Sequence, residues 1–358
     1  MNGRERITAA LQHRAADRIP WAPLLDAYFT SSLPPGQEMS VVDVCRAIGA
    51  DVLERHVPAM RKIYHEADVT RHEDGPDIYT TIETPAGTLT EHRIIMPTTT
   101  FICEPFIKSV ADFDAYRFWV EHTEYVADCD AFVREDEAIG DDGLASASGP
   151  QSPLQFLIGE DMGMERVIYT LHDHPGELEA LLEAMHEKCK EAYRVLAASP
   201  ALVVIGYEDV STSTGSPAMY RKYTMRYLDE YADIVHAQGK IFITHMCGLL
   251  KGVAPLVAQG RMDGIDSLTP PTTGDLPIDE ARAAWPGKVI VGGLEPKSLA
   301  MLSAEAVREY TLDTLRRAAP GEGVILSTGD ATAYGTPLEN LQAVTDVVRT
   351  YGGLPLSI

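Results

Sequence analysis

The sequence predicts an α/β protein whose strands close into a TIM (β/α)8 barrel. From residue 144 onward, short apolar runs of strand length alternate with amphipathic segments of helical period. Strands that are apolar along their whole length are typical of a parallel sheet covered on both faces. About eight such strands favour a closed barrel over an open, doubly wound sheet. The 358 residues, 45% of them hydrophobic, suit one such domain spanning residues 1–358, with two smaller domains as the alternative.

The first part of the chain predicts an N-terminal helical segment followed by an extended one. Ile7, Leu11 and nearby alanines recur at helical spacing, and the Asp-Arg-Ile-Pro sequence at 17–20 favours an extended exit. IPWAPLL at 19–25 is therefore the candidate first strand, and a helix and a second strand follow within 43–57. Residues 76–103 alternate polar and apolar around Pro-Ala-Gly at 85–87, which predicts a β-hairpin excursion.

The later elements follow the strand and helix alternation. Two helices separated by a break at HDHPGE are expected within 160–200, and helices are also expected near 219–238 and 303–319. The apolar runs that predict strands are LASASG (144–149), ALVVIG (201–206), KIFIT (240–244), GIDSL (264–268), KVIVGG (288–293) and GVILST (323–328).

Composition excludes several functions. A formal net charge of −23 repels nucleic acid and anionic lipid, so we expect neither as a partner. No run approaches the roughly 18 apolar residues that span a bilayer, and the N-terminus lacks the apolar core of a signal peptide. The five scattered cysteines form no disulfide framework, which favours a cytoplasmic protein. The sequence has neither a GxGxxG motif after a strand nor a P-loop.

Polar side chains follow the predicted strands where each strand ends. Because the active sites of such barrels lie at the carboxyl ends of the strands, these residues are the candidate site. They are Asp26, Glu208 with Asp209, His245 through Gly248, Asp266, Glu295 and Asp330.

His245 and Cys247 are the clearest candidate metal ligands. Residues i and i+2 of a strand point to the same side, so both side chains can reach one point. An imidazole and a thiolate suit Zn²⁺, and a catalytic zinc has three protein ligands and one open position. Asp330 and Glu208 are the candidates for the third ligand; the alternative is that the pair is only packed. The polar loop at 206–217 is either an anion or substrate contact or an ordinary loop, and His172 and His174 fit a helix break.

Several of these segments resemble the uroporphyrinogen decarboxylase superfamily. ITAALQHRAADRIPWAP (7–23) is similar to its opening helix and Asp-Arg-x-Pro turn, and TPAGTL (84–89) to its Thr-Pro-x-Gly segment. YTLHDHPGELEALLEAM (169–185) resembles its interrupted helix, and GTPLENLQAV (335–344) its closing motif. HMCG (245–248) is similar to a strand end of the methyltransferase branch, which includes the methylcobalamin:coenzyme M and corrinoid-dependent methyltransferases.

The resemblance separates two branches. Decarboxylases of this superfamily have an arginine-rich segment after the first strand that holds substrate carboxylates, whereas WAPLLDAYFT at 21–30 has no arginine. The methyltransferase branch holds zinc with the His-x-Cys pair and a later cysteine. Counting back from the closing motif places that cysteine at Asp330, so the resemblance implies a His245, Cys247 and Asp330 zinc site in which a carboxylate replaces a thiolate.

The resemblance therefore implies a zinc-dependent methyltransferase that moves a methyl group between a small substrate and a corrinoid on a partner protein. The substrate is a thiol or an O- or N-methyl compound. Glu208 or Asp266 is expected to orient substrate or carry a proton, and Tyr207 to supply a hydroxyl group. The alternatives are a metal-free decarboxylase or lyase and a non-enzymatic barrel that binds a corrinoid or metabolite. The resemblance implies a monomer or a homodimer.

Overall fold

The computed structural model describes residues 1–96 and 99–358. Its strands are β1 (Val52–Val57), β2 (Met60–Tyr64), β3 (Asp68–Asp74), β4 (Asp77–Thr84), β5 (Gly87–Met96), β6 (Thr99–Glu104), β7 (Thr123–Ala127), β8 (Gly143–Ser148), β9 (Val203–Tyr207), β10 (Ile241–His245), β11 (Gly264–Leu268), β12 (Val289–Leu294) and β13 (Val324–Thr328).

The α-helices are numbered in chain order from the N-terminus. They are α1 (Gly3–Leu11), α2 (Ala27–Thr30), α3 (Val41–Ile48), α4 (Phe113–Glu121), α5 (Asp130–Ile139), α6 (Pro153–Phe156), α7 (Met164–Asp173), α8 (Pro175–Ala198), α9 (Pro217–Tyr223), α10 (Met225–His236), α11 (Ala254–Val257), α12 (Ile278–Ala284), α13 (Pro296–Met301), α14 (Ala304–Ala318) and α15 (Leu338–Tyr351).

The described residues form two compact units. The barrel unit comprises Met1–Ala59, Cys129–Gly149 and Pro200–Ile358, and the insert unit comprises Met60–Asp128 and Pro150–Ser199. The expectation of one domain over residues 1–358 stays a prediction.

The barrel unit contains a seven-stranded sheet in the order β1-β8-β9-β10-β11-β12-β13, with every neighbouring pair parallel. Residues 19–25 lie between the two edges of this sheet. The Leu326 amide donates to the Pro20 carbonyl at 2.9 Å, the Ala22 amide donates to the Leu326 carbonyl at 2.9 Å, and the Asp51 amide donates to the Trp21 carbonyl at 2.7 Å. The predicted TIM-type barrel is therefore confirmed.

The predicted first strand takes its expected place but is not a regular strand. Only Trp21 forms a parallel bridge, to Leu326. The physical reason is that Pro20 and Pro23 have no amide hydrogen and interrupt any longer ladder.

Apolar side chains from alternate strand positions fill the barrel. Leu53, Leu144, Val203, Ile243 and Ile325 are at most 4% exposed and belong to one core cluster with the α1 side chains Ile7, Ala10 and Leu11. Asn2 and Glu5 start α1 with a reciprocal capping box.

Ion pairs around the buried Asp51 and the partly exposed Asp17 hold the extended exit from α1. Asp51 accepts from Arg6 at 2.5 Å and from Arg18 at 3.0 Å, and its other oxygen accepts from the Trp21 amide at 3.1 Å. Asp17 accepts from the Arg6 Nε at 2.8 Å. The Asp-Arg-Ile-Pro sequence thus fixes the entry of the chain into the barrel.

The insert unit contains an antiparallel sheet in the order β3-β4-β5-β6 and the antiparallel pair β2-β7. The predicted hairpin is confirmed, because β4 and β5 pair from Asp77 to Ile94 and turn between Thr84 and Gly87. Residues 97 and 98 of the predicted segment lie outside the described residues. The break between α7 and α8 falls at His174, as expected.

No helix among the described residues is both long enough and apolar enough to cross a bilayer.

Candidate functional site

Three of the predicted ligands meet at the carboxyl ends of β10 and β13. His245 ends β10, Cys247 follows it, and Asp330 follows β13. One ligand atom from each lies within 4.8 Å of the other two, and the His245 Nε2 is 4.0 Å from an Asp330 oxygen. Glu208 does not belong to this group. Of the two candidates for the third ligand, Asp330 therefore lies next to His245 and Cys247.

The chain after His245 is folded to present Cys247. Met246 is fully buried, and its amide donates to the Asp266 carbonyl at 2.9 Å, so the residues on either side of it face the other way. Gly248 has φ +78°, and a Cβ there would lie 2.8 Å from the Ser211 Oγ. Only glycine fits this left-handed and crowded turn without strain.

The polar loop after β9 supports that turn. The Leu249 amide donates to the Ser211 Oγ at 3.0 Å, and the Thr212 amide donates to the Leu249 carbonyl at 3.0 Å. Ser211 and Ser213 also share a hydrogen bond of 2.8 Å. The hydroxyls for which we considered anion or substrate contact thus hold the segment that carries Cys247.

Asp266 lies behind His245 and does not face the opening. It is fully buried, it stands opposite His245 in the parallel register, and one of its oxygens lies 3.1 Å from the His245 Nδ1. Its other oxygen accepts from the Arg55 Nε at 2.9 Å. Burial raises the pKa of Asp266, but the Arg55 guanidinium and the His245 hydrogen bond outweigh burial and lower it below its usual value.

Arg55 is a site residue that the sequence reasoning missed. It is 1% exposed, and its guanidinium donates to Asp266, to the Ser327 Oγ at 3.0 Å and to the Leu53 carbonyl at 3.3 Å. The available signal was an arginine within the strand VLERHV, since an arginine that is buried there requires a partner.

Tyr207 lies beside His245 with its hydroxyl already bonded. Its ring centroid is 5.6 Å from that of His245, and its hydroxyl donates to the Arg55 carbonyl at 2.5 Å. His56, for which the sequence favoured a surface or core role, stacks on the Tyr207 ring with the two ring centroids 5.1 Å apart. The ring of Tyr207 thus forms a wall of the site. Its predicted role as a hydroxyl source stays a prediction.

Glu208 and Asp209 lie on opposite sides of the strand end. Glu208 is 1% exposed, and after burial its carboxylate is the main cause that raises the pKa of Tyr220 in α9. Asp209 is exposed. Burial, then Asp330 and then Asp209 raise the pKa of the Cys247 thiol to about 12. Asp209 is therefore the member of this pair that acts on Cys247.

The other predicted strand-end residues are helix caps. Asp26 accepts from the Phe29 amide at 2.7 Å at the start of α2. Glu295 caps α13 by accepting from the Ser298 amide at 2.7 Å and also accepts from the Thr273 hydroxyl at 2.7 Å. His172 and His174 flank the break between α7 and α8 and are exposed, as expected.

The insert unit has a second group of metal-capable side chains. Glu183, His186 and Glu187 lie together on α8, and His186 is fully buried between two exposed glutamates. Glu187 pairs with Lys190 at 2.5 Å. The two glutamates belong to the exposed charged face of α8, where i, i+3 and i, i+4 pairs are common, and His186 belongs to its buried face.

The fold and the site together define a (β/α)8 barrel protein with nitrogen, sulfur and oxygen donors at the carboxyl ends of its strands. The family model of uroporphyrinogen decarboxylase (URO-D) matches residues 95–351, and the chain belongs to this family of enzymes. The resemblance to this superfamily is thus confirmed.

Two curated relatives are named uroporphyrinogen decarboxylase. The protein from Anaeromyxobacter dehalogenans is 26% identical over 258 residues, which cover 69% of this chain and 70% of the relative. The protein from Anaeromyxobacter sp. strain Fw109-5 is 24% identical over 210 residues, 58% of each chain. A solved methyltransferase from Methanosarcina mazei has a TM-score of 0.63 at 16% identity and covers 98% of this chain and 99% of its own, which shows a shared fold.

Proposed function

We propose that this enzyme is a zinc-dependent methyltransferase that moves a methyl group between a small substrate and a corrinoid held by a partner protein. The observation that carries the proposal is the group formed by His245, Cys247 and Asp330. All three are half-buried, so they are held in place and can still be reached by a substrate.

The donor set fits zinc. Bonds of about 2.0–2.3 Å in a tetrahedral site place ligand atoms roughly 3.5 Å apart. The separations here are within 4.8 Å, so a side-chain shift of about 1 Å completes the site. Three protein ligands leave the fourth position to substrate, as in catalytic zinc sites. When bound, zinc supplies a Lewis acid that stabilises a substrate thiolate or polarises the heteroatom that carries the methyl group.

The remaining steps belong to the side chains. Cys247 would lose its proton on becoming a ligand, and the exposed carboxylate of Asp209, which is not one of the three proposed ligands, is the group assigned to receive it. Tyr207 limits the space beside His245. In this proposal neither Glu208 nor Asp266 contacts the substrate. Glu208 is buried and acts on Tyr220 of α9, and Asp266 is bonded to the Nδ1 of His245.

The first test is the zinc content of the purified protein, measured by elemental analysis. We expect about one zinc per chain, lost in His245→Ala, Cys247→Ser and Asp330→Ala. Cys103→Ser is the matched control because Cys103 is exposed on β6. Transfer of the methyl group of methylcobalamin to small thiols, and demethylation of O- and N-methyl compounds with reduced cobalamin, then test the reaction. Zinc-free protein whose folded variants behave like the parent would contradict the proposal.

A decarboxylase of the same fold is the second candidate, supported by the names of the curated relatives. Uroporphyrinogen carries many carboxylates, which require cations. Arg55 is buried against Asp266, whereas the exposed Asp209 and the half-buried Asp330 put carboxylates at the site. We therefore expect no decarboxylation of uroporphyrinogen, and carbon dioxide release from it would favour this candidate. Ligand binding without turnover that is insensitive to Asp330→Ala would favour a binding protein.

A further inference from the structure

The geometry points to Arg55 and Asp266 as positioning residues that decide which ring nitrogen of His245 faces Cys247 and Asp330. This inference rests on the proposed metal site and concerns the atoms behind it. The two ring nitrogens have different neighbours: Nδ1 lies 3.1 Å from Asp266, and Nε2 lies 4.0 Å from Asp330.

An ionised carboxylate only accepts hydrogen bonds, so the Nδ1 beside Asp266 must carry the hydrogen. A neutral imidazole then has its lone pair on Nε2, which is the atom that faces the other two ligands. The opposite tautomer would put two acceptors 3.1 Å apart in the buried space behind His245 and leave a hydrogen where a metal must bind.

Arg55 keeps the Asp266 carboxylate in this orientation. The Arg55 Nε donates to the Asp266 oxygen that does not face His245, so rotation of the carboxylate would break a buried ion pair. The guanidinium itself is held by the Ser327 hydroxyl at 3.0 Å and the Leu53 carbonyl at 3.3 Å. The backbone carbonyls of Ala22 and Pro23 lie 3.5 Å away.

These contacts join four segments of the barrel at one guanidinium. They are the extended segment 19–25, β1, β11 and β13. Asp330 follows the last of these strands, and His245 ends β10, which pairs with β11. Closure of the barrel and orientation of the His245 ring therefore depend on the same hydrogen bonds.

The test compares metal-free protein with and without the carboxylate. Selective ¹⁵N labelling of histidine, assigned with His245→Ala, reports the tautomer of His245 in the absence of metal. We expect the hydrogen on Nδ1 in the parent protein and a mixture of tautomers in Asp266→Asn. We also expect zinc affinity, measured by competition with a chromophoric chelator, to fall about 10- to 100-fold in the variant.

Two further variants separate positioning from folding. Arg55→Met/Asp266→Asn removes both buried charges and leaves neither unpaired, so it keeps the fold and shows the same loss of tautomer preference and zinc affinity. Asp263→Asn removes a carboxylate that bonds His236 at 2.8 Å and the Phe242 amide at 2.7 Å, so it perturbs the same strands away from His245. It should leave the His245 tautomer and zinc affinity unchanged.

The expected result for Asp266→Asn is a loss of zinc affinity of at least about 10-fold. The inference would be overturned if this variant is folded, keeps the His245 tautomer of the parent and binds zinc within about twofold of the parent affinity. In that case the Arg55 and Asp266 pair is only a core ion pair. A different result separates the two proposals. If the parent protein binds no zinc, but its His245 carries the hydrogen on Nδ1 and Asp266→Asn loses this preference, the metal site is rejected and the positioning role is kept.

Discussion

Asp266 in the barrel unit and Asp161 in the insert unit are both buried aspartates, and their two carboxyl groups behave in opposite ways. Asp266 is fully buried, and Asp161 in the insert unit is 3% exposed. Burial raises the pKa of Asp266, but the Arg55 guanidinium and the His245 hydrogen bond outweigh burial and leave that pKa below its usual value. Burial raises the pKa of Asp161 to about 7, against a hydrogen bond from the Tyr116 hydroxyl at 2.5 Å that lowers it.

The difference teaches that a directly bonded cation decides the state of a buried carboxyl group. Arg93 is the cation near Asp161, but it pairs with Glu91 at 2.7 Å and with Glu160 at 3.0 Å. Both glutamates raise the pKa of Asp161. Arg55 is bonded directly to Asp266. The barrel therefore holds a permanent charge behind its candidate metal site, whereas the insert unit holds a carboxyl group that titrates near neutral pH.

Removal of the cation in the barrel should have the largest effect. Arg55→Met leaves Asp266 as an unpaired buried carboxylate, so we expect the free energy of unfolding to fall by about 3–5 kcal/mol. Chemical denaturation measures this change. Arg46→Ala is the matched control, because its pair with Asp142 at 2.7 Å is nearly half exposed on both sides and is expected to contribute less than about 1 kcal/mol. Both pairs belong to the barrel unit, so equal losses in the two variants would show that burial does not make the Arg55 pair more important for stability than an exposed pair.

The carboxyl group of the insert unit should make stability depend on pH. The folded pKa of Asp161 is about 7 and its ordinary value is 3.8, so the unfolded chain releases this proton first. Its contribution is full below about pH 3.8 and is lost as pH rises toward 7, by up to about 4 kcal/mol. We expect Asp161→Asn to remove this loss, as seen in unfolding midpoints measured between pH 4 and pH 8.

The control for that experiment is Asp68→Asn, since Asp68 is exposed on β3. It should follow the pH profile of the parent protein. If the unfolding midpoints of Asp161→Asn change with pH as those of the parent do, Asp161 ionises normally in the folded state.

A glycine from each unit sharpens the comparison with a smaller effect. Gly248 and Gly75 both have positive φ, +78° and +60°, but an added Cβ meets the Ser211 Oγ at 2.8 Å only at Gly248, and nothing lies within 4 Å at Gly75. We expect Gly75→Ala to cost about 1 kcal/mol of unfolding free energy from backbone strain alone. Gly248→Ala should cost about 2 kcal/mol and also weaken zinc binding, because the turn that presents Cys247 must shift. Unchanged zinc affinity in Gly248→Ala would show that this turn does not position the thiol.

The sequence by itself determined the order of strands and helices in the barrel and the group of candidate ligands. Apolar runs such as KIFIT and GVILST lie in β10 and β13, since strands buried on both faces need uninterrupted apolar residues. Parallel strands end at one face of a barrel, and His245 and Cys247 stand two residues apart. These two facts bring the pair together and leave Asp330 and Glu208 as candidates for the third ligand. The resemblance of the closing motif selects Asp330, which lies with the pair in the structure.

Only the tertiary structure decided what stands behind that group. The register of β10 and β11 places Asp266 opposite His245, and closure of the barrel brings Arg55 of β1 to Asp266, 211 positions away in the sequence. Strand pairing and side-chain direction also decide that the Asp209 carboxylate raises the pKa of the Cys247 thiol, whereas the Glu208 carboxylate raises that of Tyr220. These contacts depend on register and closure over long separations, and a local pattern of residue types contains no information about either.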